Sequence, residues 1–135
     1  MSAPLTVLIV DDYRDSLDVW ELFLRAEGFD VRTATDGRDA LAHAIAAVPD
    51  LVVMDIQLPG LSGLEVAREL RREAATRHLP LIAATGLSQP AQLDEVRAAG
   101  FDAVVVKPCD PDVLLGEIRR LLAESAARPA VPHSS

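Results

Sequence analysis

Short apolar runs and helical stripes alternate along the chain. The runs are Leu5–Val10, Val31–Thr35, Leu51–Asp55, Leu81–Thr85 and Ala103–Lys107. Four are almost unbroken in apolar residues, as expected of parallel strands covered on both faces. The Val31 run includes Arg32 and Thr33, which places it at a sheet edge. Between the runs, apolar residues recur at helical spacing: Leu17, Trp20, Phe23 and Leu24; Leu41, Ala44, Ile45 and Val48; Val66, Ala67 and Leu70; Leu114, Ile118, Leu121 and Leu122. Trp20 is read as a core residue of its stripe. Helix starts are marked by Asp36, by Ser62 with Glu65 at capping-box spacing, by Ser88 ahead of Pro90, and by Asp110 ahead of Pro111. Gly28 and Gly100 stand where left-handed caps end helices. Strict strand–helix alternation predicts one α/β domain, an open doubly wound five-stranded parallel sheet with five helices on its two faces. Crossovers are right-handed, and ligands bind at the carboxyl ends of the strands. The domain is expected over residues 1–124, with 125–135 ("SAARPAVPHSS") as a frayed tail.

Composition narrows the function. The 135 residues suit one domain. Only 4% are aromatic, so the core is aliphatic. Twenty-one acids against 13 Lys and Arg give a net charge of -8, which argues against direct nucleic-acid binding. The single cysteine, Cys109, allows no internal disulfide and fits a reducing compartment. The start lacks the basic-then-apolar pattern of a signal peptide, and no apolar stretch approaches the ~20 residues of a membrane span. A soluble, acidic, cytoplasmic protein is expected.

The stretch "LVVMDIQLPGLSG" shows where chemistry enters. An apolar run ends on one carboxylate, Asp55, and a Pro-Gly turn follows. Other strand ends repeat the pattern: Asp11 and Asp12 after the first, Thr85 at the fourth, Lys107 at the fifth. A parallel sheet gathers all of these on one edge. Two carboxylates ~5 Å apart repel by about 0.8 kcal/mol in water and about 3 kcal/mol at an effective dielectric of 20. Lys107 offsets part of that repulsion, and a divalent cation can offset more. All-oxygen ligands suit Mg²⁺ or Mn²⁺ and not a structural zinc site. His43, His78 and His133 read as surface residues, so no His/Cys cluster competes. A metal beside a carboxylate and an ammonium handles phosphoryl groups, and the carboxylate can become an aspartyl-phosphate. Thr85 can donate its hydroxyl to a phosphoryl oxygen, and Gly86 leaves the approach open.

With "VLIVDD", "DLVVMDIQLPGLSGLE", "LPLIAATG" and "GFDAVVVKP" in order, the chain from Leu5 to Leu122 resembles the receiver domain of two-component response regulators, chemotaxis regulators included. The resemblance implies a flavodoxin-like sheet of order 2-1-3-4-5. It implies that Asp55 takes a phosphoryl group from a phosphohistidine of a histidine kinase or histidine phosphotransfer protein. Asp12, Asp55 and the backbone carbonyl of Gln57 would bind Mg²⁺, with Asp11 acting through water. Lys107 would pair with Asp55 and then with the phosphate, Thr85 would be the switch hydroxyl, and the Lys107–Pro108 peptide would be cis. The chain would be a signalling domain that catalyses only its own phosphorylation and dephosphorylation. A monomer or weak dimer is expected, without membrane or nucleic-acid partners.

The sequence departs from the family pattern in two places. Many members carry an aromatic residue three positions before the lysine, where Val104 stands here, so the usual threonine–aromatic coupling cannot operate in that form. Cys109 follows "KP", where Phe is frequent, and is read as a small packing residue. Gln57 and Leu87 occupy positions that influence phosphoryl lifetime in the family. Leu87 is expected to limit water access, so Leu87→Ala should shorten the lifetime. Only a short tail follows the last helical stripe, which suggests a single-domain regulator or a receiver excised from a larger protein. Its output would be a protein partner on the face of the fourth helix, fifth strand and fifth helix, where Gln92, Glu95, Arg97, Arg119 and Arg120 lie. Two alternatives are an aspartyl-phosphate phosphatase of the haloacid-dehalogenase type, which would place its nucleophile after the first strand in a D-x-D pattern, and a scaffold that takes no phosphate.

Overall fold

A computed structural model of the protein describes residues 3–86 and 89–127. Leu87, Ser88 and residues 128–135, including His133, lie outside the described residues, and with them the expectations for Leu87, the Ser88 cap and most of the tail. Strand and helix alternate five times: β1 (Thr6–Val10), α1 (Arg14–Ala26), β2 (Asp30–Ala34), α2 (Gly37–Ala46), β3 (Leu51–Met54), α3 (Gly63–Arg72), β4 (Leu81–Thr85), α4 (Pro90–Ala98), β5 (Ala103–Val106) and α5 (Pro111–Ala127). The strands form one parallel sheet in the order β2-β1-β3-β4-β5. The chain leaves β1 first toward β2 and then returns past it to β3. The order therefore reverses between β1 and β3, where a doubly wound sheet opens its crevice.

Alternation along each strand divides the apolar residues between two cores. Leu8, Val10, Val52, Met54, Leu81 and Ala83 face one side and pack with Ala40, Ala44, Val66, Ala67, Leu70 and Val96. Val7, Ile9, Leu51, Val53 and Ile82 face the other and pack with Leu17, Leu24, Leu114, Ile118 and Leu121. This double coverage explains the unbroken apolar runs, since both strand faces are buried. β2 is an edge strand, as its mixed sequence predicts, with Asp30 and Thr33 exposed. Trp20 packs at the margin of the second core and meets Phe23 edge-to-face at 6.2 Å, so its place in the stripe is as expected.

The caps follow their chemistry. Asp36 accepts from the Asp39 amide at 2.7 Å, and Ser62 and Glu65 form a reciprocal capping box at 3.3 Å each way. Asp110 accepts from the Asp112 amide at 2.8 Å. Gly28 and Gly100 have φ of 97° and 118°, values that favour glycine. α4 starts at Pro90 with Gln89 in the cap position.

Three expectations shift. The stripe assigned to α2 is only half right. The helix ends at Ala46, and Ile45 and Val48 are exposed. Its buried line is Gly37, Ala40 and Ala44, because small residues let it approach the loop after β3: a Cβ on Gly37 would lie 2.0 Å from the Leu61 carbonyl oxygen. α5 continues through Ala127, past the boundary expected at residue 124. Strand limits move by a residue, β2 starting at Asp30 and β5 ending at Val106.

At the edge opposite the carboxyl ends, Arg71 gathers loops that sequence reading passed over. Its guanidinium donates to the carbonyls of Gly100, Leu79 and Arg77 at 2.7–3.0 Å and pairs with Asp102 at 3.0 Å. The end of α3 is thereby tied to the turns that feed β4 and β5.

Candidate functional site at the carboxyl edge of the sheet

Ladder hydrogen bonds set the height of every residue in the site. The Asp55 amide donates to the Val10 carbonyl at 2.9 Å, which brings the end of β3 level with Asp11. The Lys107 amide donates to the Thr85 carbonyl at 2.8 Å, which does the same for β5 and β4. The apolar runs thus act as rulers: a one-residue slip would turn each polar tip to the other face. Lys107–Pro108 is a cis peptide, as the resemblance implied.

Asp11, Asp12 and Asp55 each offer a carboxylate oxygen, and these three oxygens lie within 4.8 Å of one another. Asp11 is buried, Asp55 half-buried and Asp12 exposed, so the group opens to solvent through Asp12. Its donors are all oxygen, and among the described residues no histidine or cysteine joins it. That donor set fits a hard divalent cation such as Mg²⁺, which keeps several waters and accepts one or two carboxylates. The Gln57 amide donates to Asp55 Oδ1 at 3.1 Å, which orients the carboxylate from the loop side.

Lys107 reaches across the sheet to this group. Its Nζ lies 2.8 Å from Asp11 Oδ2 and 3.2 Å from Asp55 Oδ2. The resemblance named only Asp55 as its partner, yet Asp11 is the nearer one and the more deeply buried. Burial pulls the Lys107 pKa down, but the hydrogen bond to Asp11 and the negative charges of Asp55 and Asp11 outweigh it. The net position is above the ordinary 10.5. The ammonium therefore stays charged across the physiological range and cancels about one of three negative charges. Two remain, and they make the group attractive to a divalent cation.

Thr85 is fully buried at the end of β4, between β3 and β5. Cys109 lies half-buried just past the cis peptide. Burial raises its thiol pKa above 9.0, the Lys107 charge lowers it, and Asp110 raises it again, leaving a net increase. It is thus a weak nucleophile, in keeping with a packing role. Val104, at the position where the family often has an aromatic, packs against the core beneath α4. His43 lies on α2 and His78 is exposed, both away from the acid group.

One residue that holds the site together was not singled out from the sequence. The Gly63 amide donates to the Ile56 carbonyl at 2.8 Å. A Cβ there would lie 2.4 Å from the Asp55 carbonyl oxygen and 2.8 Å from Ile56 Cα. The start of α3 therefore rests directly on the backbone that carries Asp55. The available signal was a glycine at the first helical position, immediately after a capping serine.

Residues 7–119 match the response regulator receiver domain family. Among curated proteins, the chain is 34% identical over 115 residues to the response regulator PleD of Caulobacter vibrioides, covering 85% of this chain and 25% of PleD. It is 32% identical over 122 residues to the polar-differentiation response regulator DivK of Brucella anthropi, covering 90% of this chain and 99% of DivK. The chain thus spans about a quarter of the length of PleD and nearly all of DivK. Among solved structures, the receiver domain of the sensor histidine kinase PA1611 from Pseudomonas aeruginosa superposes with a TM-score of 0.84 at 29% identity, covering 90% of this chain and 99% of that one. That structure has a magnesium ion coordinated in its active-site cleft.

Proposed function

The chain belongs to the response regulator receiver domain family, and from that premise we propose that it is a phosphoacceptor switch in which Asp55 receives a phosphoryl group from a phosphohistidine. Receiver domains are signalling domains of two-component systems; this chain has their fold, and the acid group at its sheet edge could hold a metal. The observation that carries the proposal is the convergence of Asp11, Asp12 and Asp55 with Lys107 at the point where strand order reverses.

The step balances as a simple displacement. An Asp55 carboxylate oxygen attacks phosphorus, the P–N bond to the donor imidazole breaks, and the electron pair leaves on that nitrogen. The attacking oxygen needs no activation beyond orientation, which the Gln57 amide and Lys107 supply. Lys107 then exchanges its contact with Asp55 for one with a phosphoryl oxygen. Thr85, in the adjacent strand, supplies a hydroxyl to another. Asp12, Asp55 and the Gln57 carbonyl are the proposed ligands of Mg²⁺, with Asp11 holding it through water, and the ion would neutralise charge on the transferring oxygens. Loss of the phosphoryl group is attack of water on the same phosphorus, so the only catalysis assigned to the chain acts on its own aspartate.

The partners follow from this chemistry: a histidine kinase or phosphotransfer protein as donor, and a protein as output, in the cytoplasm. Among the described residues no helix is long and apolar enough to cross a membrane. On the surface formed by α4, β5 and α5, Glu95 and Arg97 are exposed, whereas Arg119 pairs with Glu27 and Arg120 with Glu117 and Glu124. Incubation with Mg²⁺ and acetyl phosphate, followed by intact-mass analysis, tests the assignment. The parent should gain one phosphoryl group and Asp55→Asn none. Equal labelling of the two would end the assignment of Asp55.

A further inference from the structure

The edge of the sheet opposite the acid group carries two further aspartates in matched positions. Asp50 stands immediately before β3, and Asp102 immediately before β5. Each forms a reciprocal pair with the first residue of a neighbouring strand. The Thr6 amide donates to Asp50 Oδ2 at 2.7 Å, and the Asp50 amide donates back to the Thr6 carbonyl at 2.8 Å. The Leu81 amide donates to Asp102 Oδ2 at 2.9 Å, and the Asp102 amide donates back to the Leu81 carbonyl at 2.8 Å. Both aspartates are exposed, and an ordinary surface acid would offer its oxygens to water. These two instead satisfy the leading amide of the strand beside them, as a capping residue does for a helix. Arg71 holds the Asp102 carboxylate from the end of α3 at 3.0 Å.

The two pairs divide the site between them. Asp50 joins β1 to β3, the strands whose far ends lead to Asp11, Asp12 and Asp55. Asp102 joins β4 to β5, whose far ends lead to Thr85 and Lys107. The spacing is the same in both cases: Asp55 follows Asp50 by five residues, and Lys107 follows Asp102 by five. At about 3.3 Å per residue, each pair acts over roughly 16 Å. The apolar pattern already forbids a slip by a whole residue. A drift of a few tenths of an ångström along the strand axis is opposed by hydrogen bonds at both ends of a strand pair. The two halves of the site feel such a drift differently. Mg²⁺ demands near-ideal placement of its oxygens, which come from β1 and β3 and the loops after them. A transferring phosphoryl group needs Thr85 and Lys107 aimed at it, and these come from β4 and β5.

We propose that Asp50 and Asp102 are positioning residues for phosphoryl transfer: Asp50 sets the affinity of the acid group for Mg²⁺, and Asp102 sets the rate of transfer once Mg²⁺ is bound. The inference rests on the phosphoacceptor reading of Asp55, so labelling of the parent is measured first. The full chain is then compared with Asp50→Ala, Asp50→Asn, Asp102→Ala and Asp102→Asn. Titration calorimetry gives the Mg²⁺ affinity. Intact mass against time gives the rate of labelling by acetyl phosphate at saturating Mg²⁺. Asp50→Ala should weaken Mg²⁺ binding at least about fivefold, the lower end of ordinary coupling between sites, and leave the saturated rate within about twofold. Asp102→Ala should do the reverse, slowing the saturated rate at least about fivefold with Mg²⁺ affinity within about twofold. Asparagine keeps an oxygen that can accept the amide, so each asparagine variant should recover most of the loss. Urea midpoints show whether each variant is folded. Should an alanine variant unfold, Asp50→Ser or Asp102→Ser replaces it, since a serine hydroxyl ends one bond short of the carboxylate oxygens. Losses of both quantities in both variants, in step with their urea midpoints, make the aspartates purely structural and overturn the inference. No change in either quantity overturns it too, as do asparagine variants no better than alanine. Absence of label on the parent overturns the phosphoacceptor reading and the Asp102 half with it, while the Mg²⁺ titration of the Asp50 variants still decides the other half.

Discussion

Asp12→Asn should stabilise the metal-free protein and abolish most of the stabilisation by Mg²⁺. Asp12 is the exposed member of the acid group, so its substitution leaves the packing of β1 untouched. The carboxylate oxygens of the group lie within 4.8 Å of one another. At about that separation one pair of unit charges interacts by about 0.9 kcal/mol in water and about 3.5 kcal/mol at an effective dielectric of 20. Removing the Asp12 charge deletes two repulsions, with Asp11 and Asp55, and one attraction, with Lys107. The balance is about one repulsive pair. Because Asp12 faces solvent and is screened by it, the value belongs near the water limit, at about 1–2 kcal/mol. Urea unfolding in EDTA at low ionic strength measures this. With a slope of about 1–3 kcal/mol per molar urea for a domain of this size, the midpoint should rise by roughly 0.5–1 M. Added salt should shrink the difference. Added Mg²⁺ should raise the parent midpoint through ligand linkage and leave the variant nearly unmoved. A variant less stable than the parent in EDTA would refute the reasoning, since it would mean that Asp12 contributes a bond and not a repulsion.

Three further outcomes follow from the geometry. Gly63→Ala should cost about 1–3 kcal/mol by overpacking and slow acetyl-phosphate labelling, because the new Cβ pushes on the backbone of Asp55 and Ile56. Gly116→Ala, which meets nothing within 4 Å on α5, should instead stabilise by about 0.5–1 kcal/mol, and equal effects in thermal melts would contradict this. Lys107 has its pKa raised above 10.5 in the folded protein, so its stabilising contribution is intact below that pH and is lost as pH rises through the raised value. Chemical denaturation of the parent and Lys107→Met across this alkaline range should converge as pH rises. The Cys109 thiol, pushed up by burial and held down in part by Lys107, should alkylate more slowly near neutral pH than in the urea-unfolded chain, and more slowly still in Lys107→Met. Mass spectrometry of timed iodoacetamide reactions reads this directly, and an unchanged rate in the variant would contradict the link to Lys107.

The reach of sequence reasoning differed between parts of the molecule. The strands were legible because their burial on both faces removes any alternation and leaves solid apolar runs such as Val7–Val10 and Leu51–Met54. The caps were legible because Asp36 and Ser62 satisfy amides within three residues of themselves. The buried face of α2 was misjudged. There the determinant is distance to the Leu61 backbone, which favours Gly37 and Ala40 over the larger Ile45 and Val48. The role of Arg71 was missed for a similar reason, since most of its acceptors are main-chain carbonyls on loops that gain no signal from their side chains.

By itself the sequence determined which residues stand at strand ends. Hydrophobic burial decides where an apolar run must stop, and the next polar residue is then held at a known height. Asp11, Asp12, Asp55, Thr85 and Lys107 are all consequences of that local rule. Only the tertiary structure decided how they pair. That Lys107 sits nearer Asp11 than Asp55, that Gly63 rests on the Asp55 backbone, and that Trp20 and Cys109 share a groove with the site lysine are all relations between elements distant in sequence. Such contacts are set by the few tenths of an ångström with which helices settle on the sheet, a quantity that no local pattern of residues encodes.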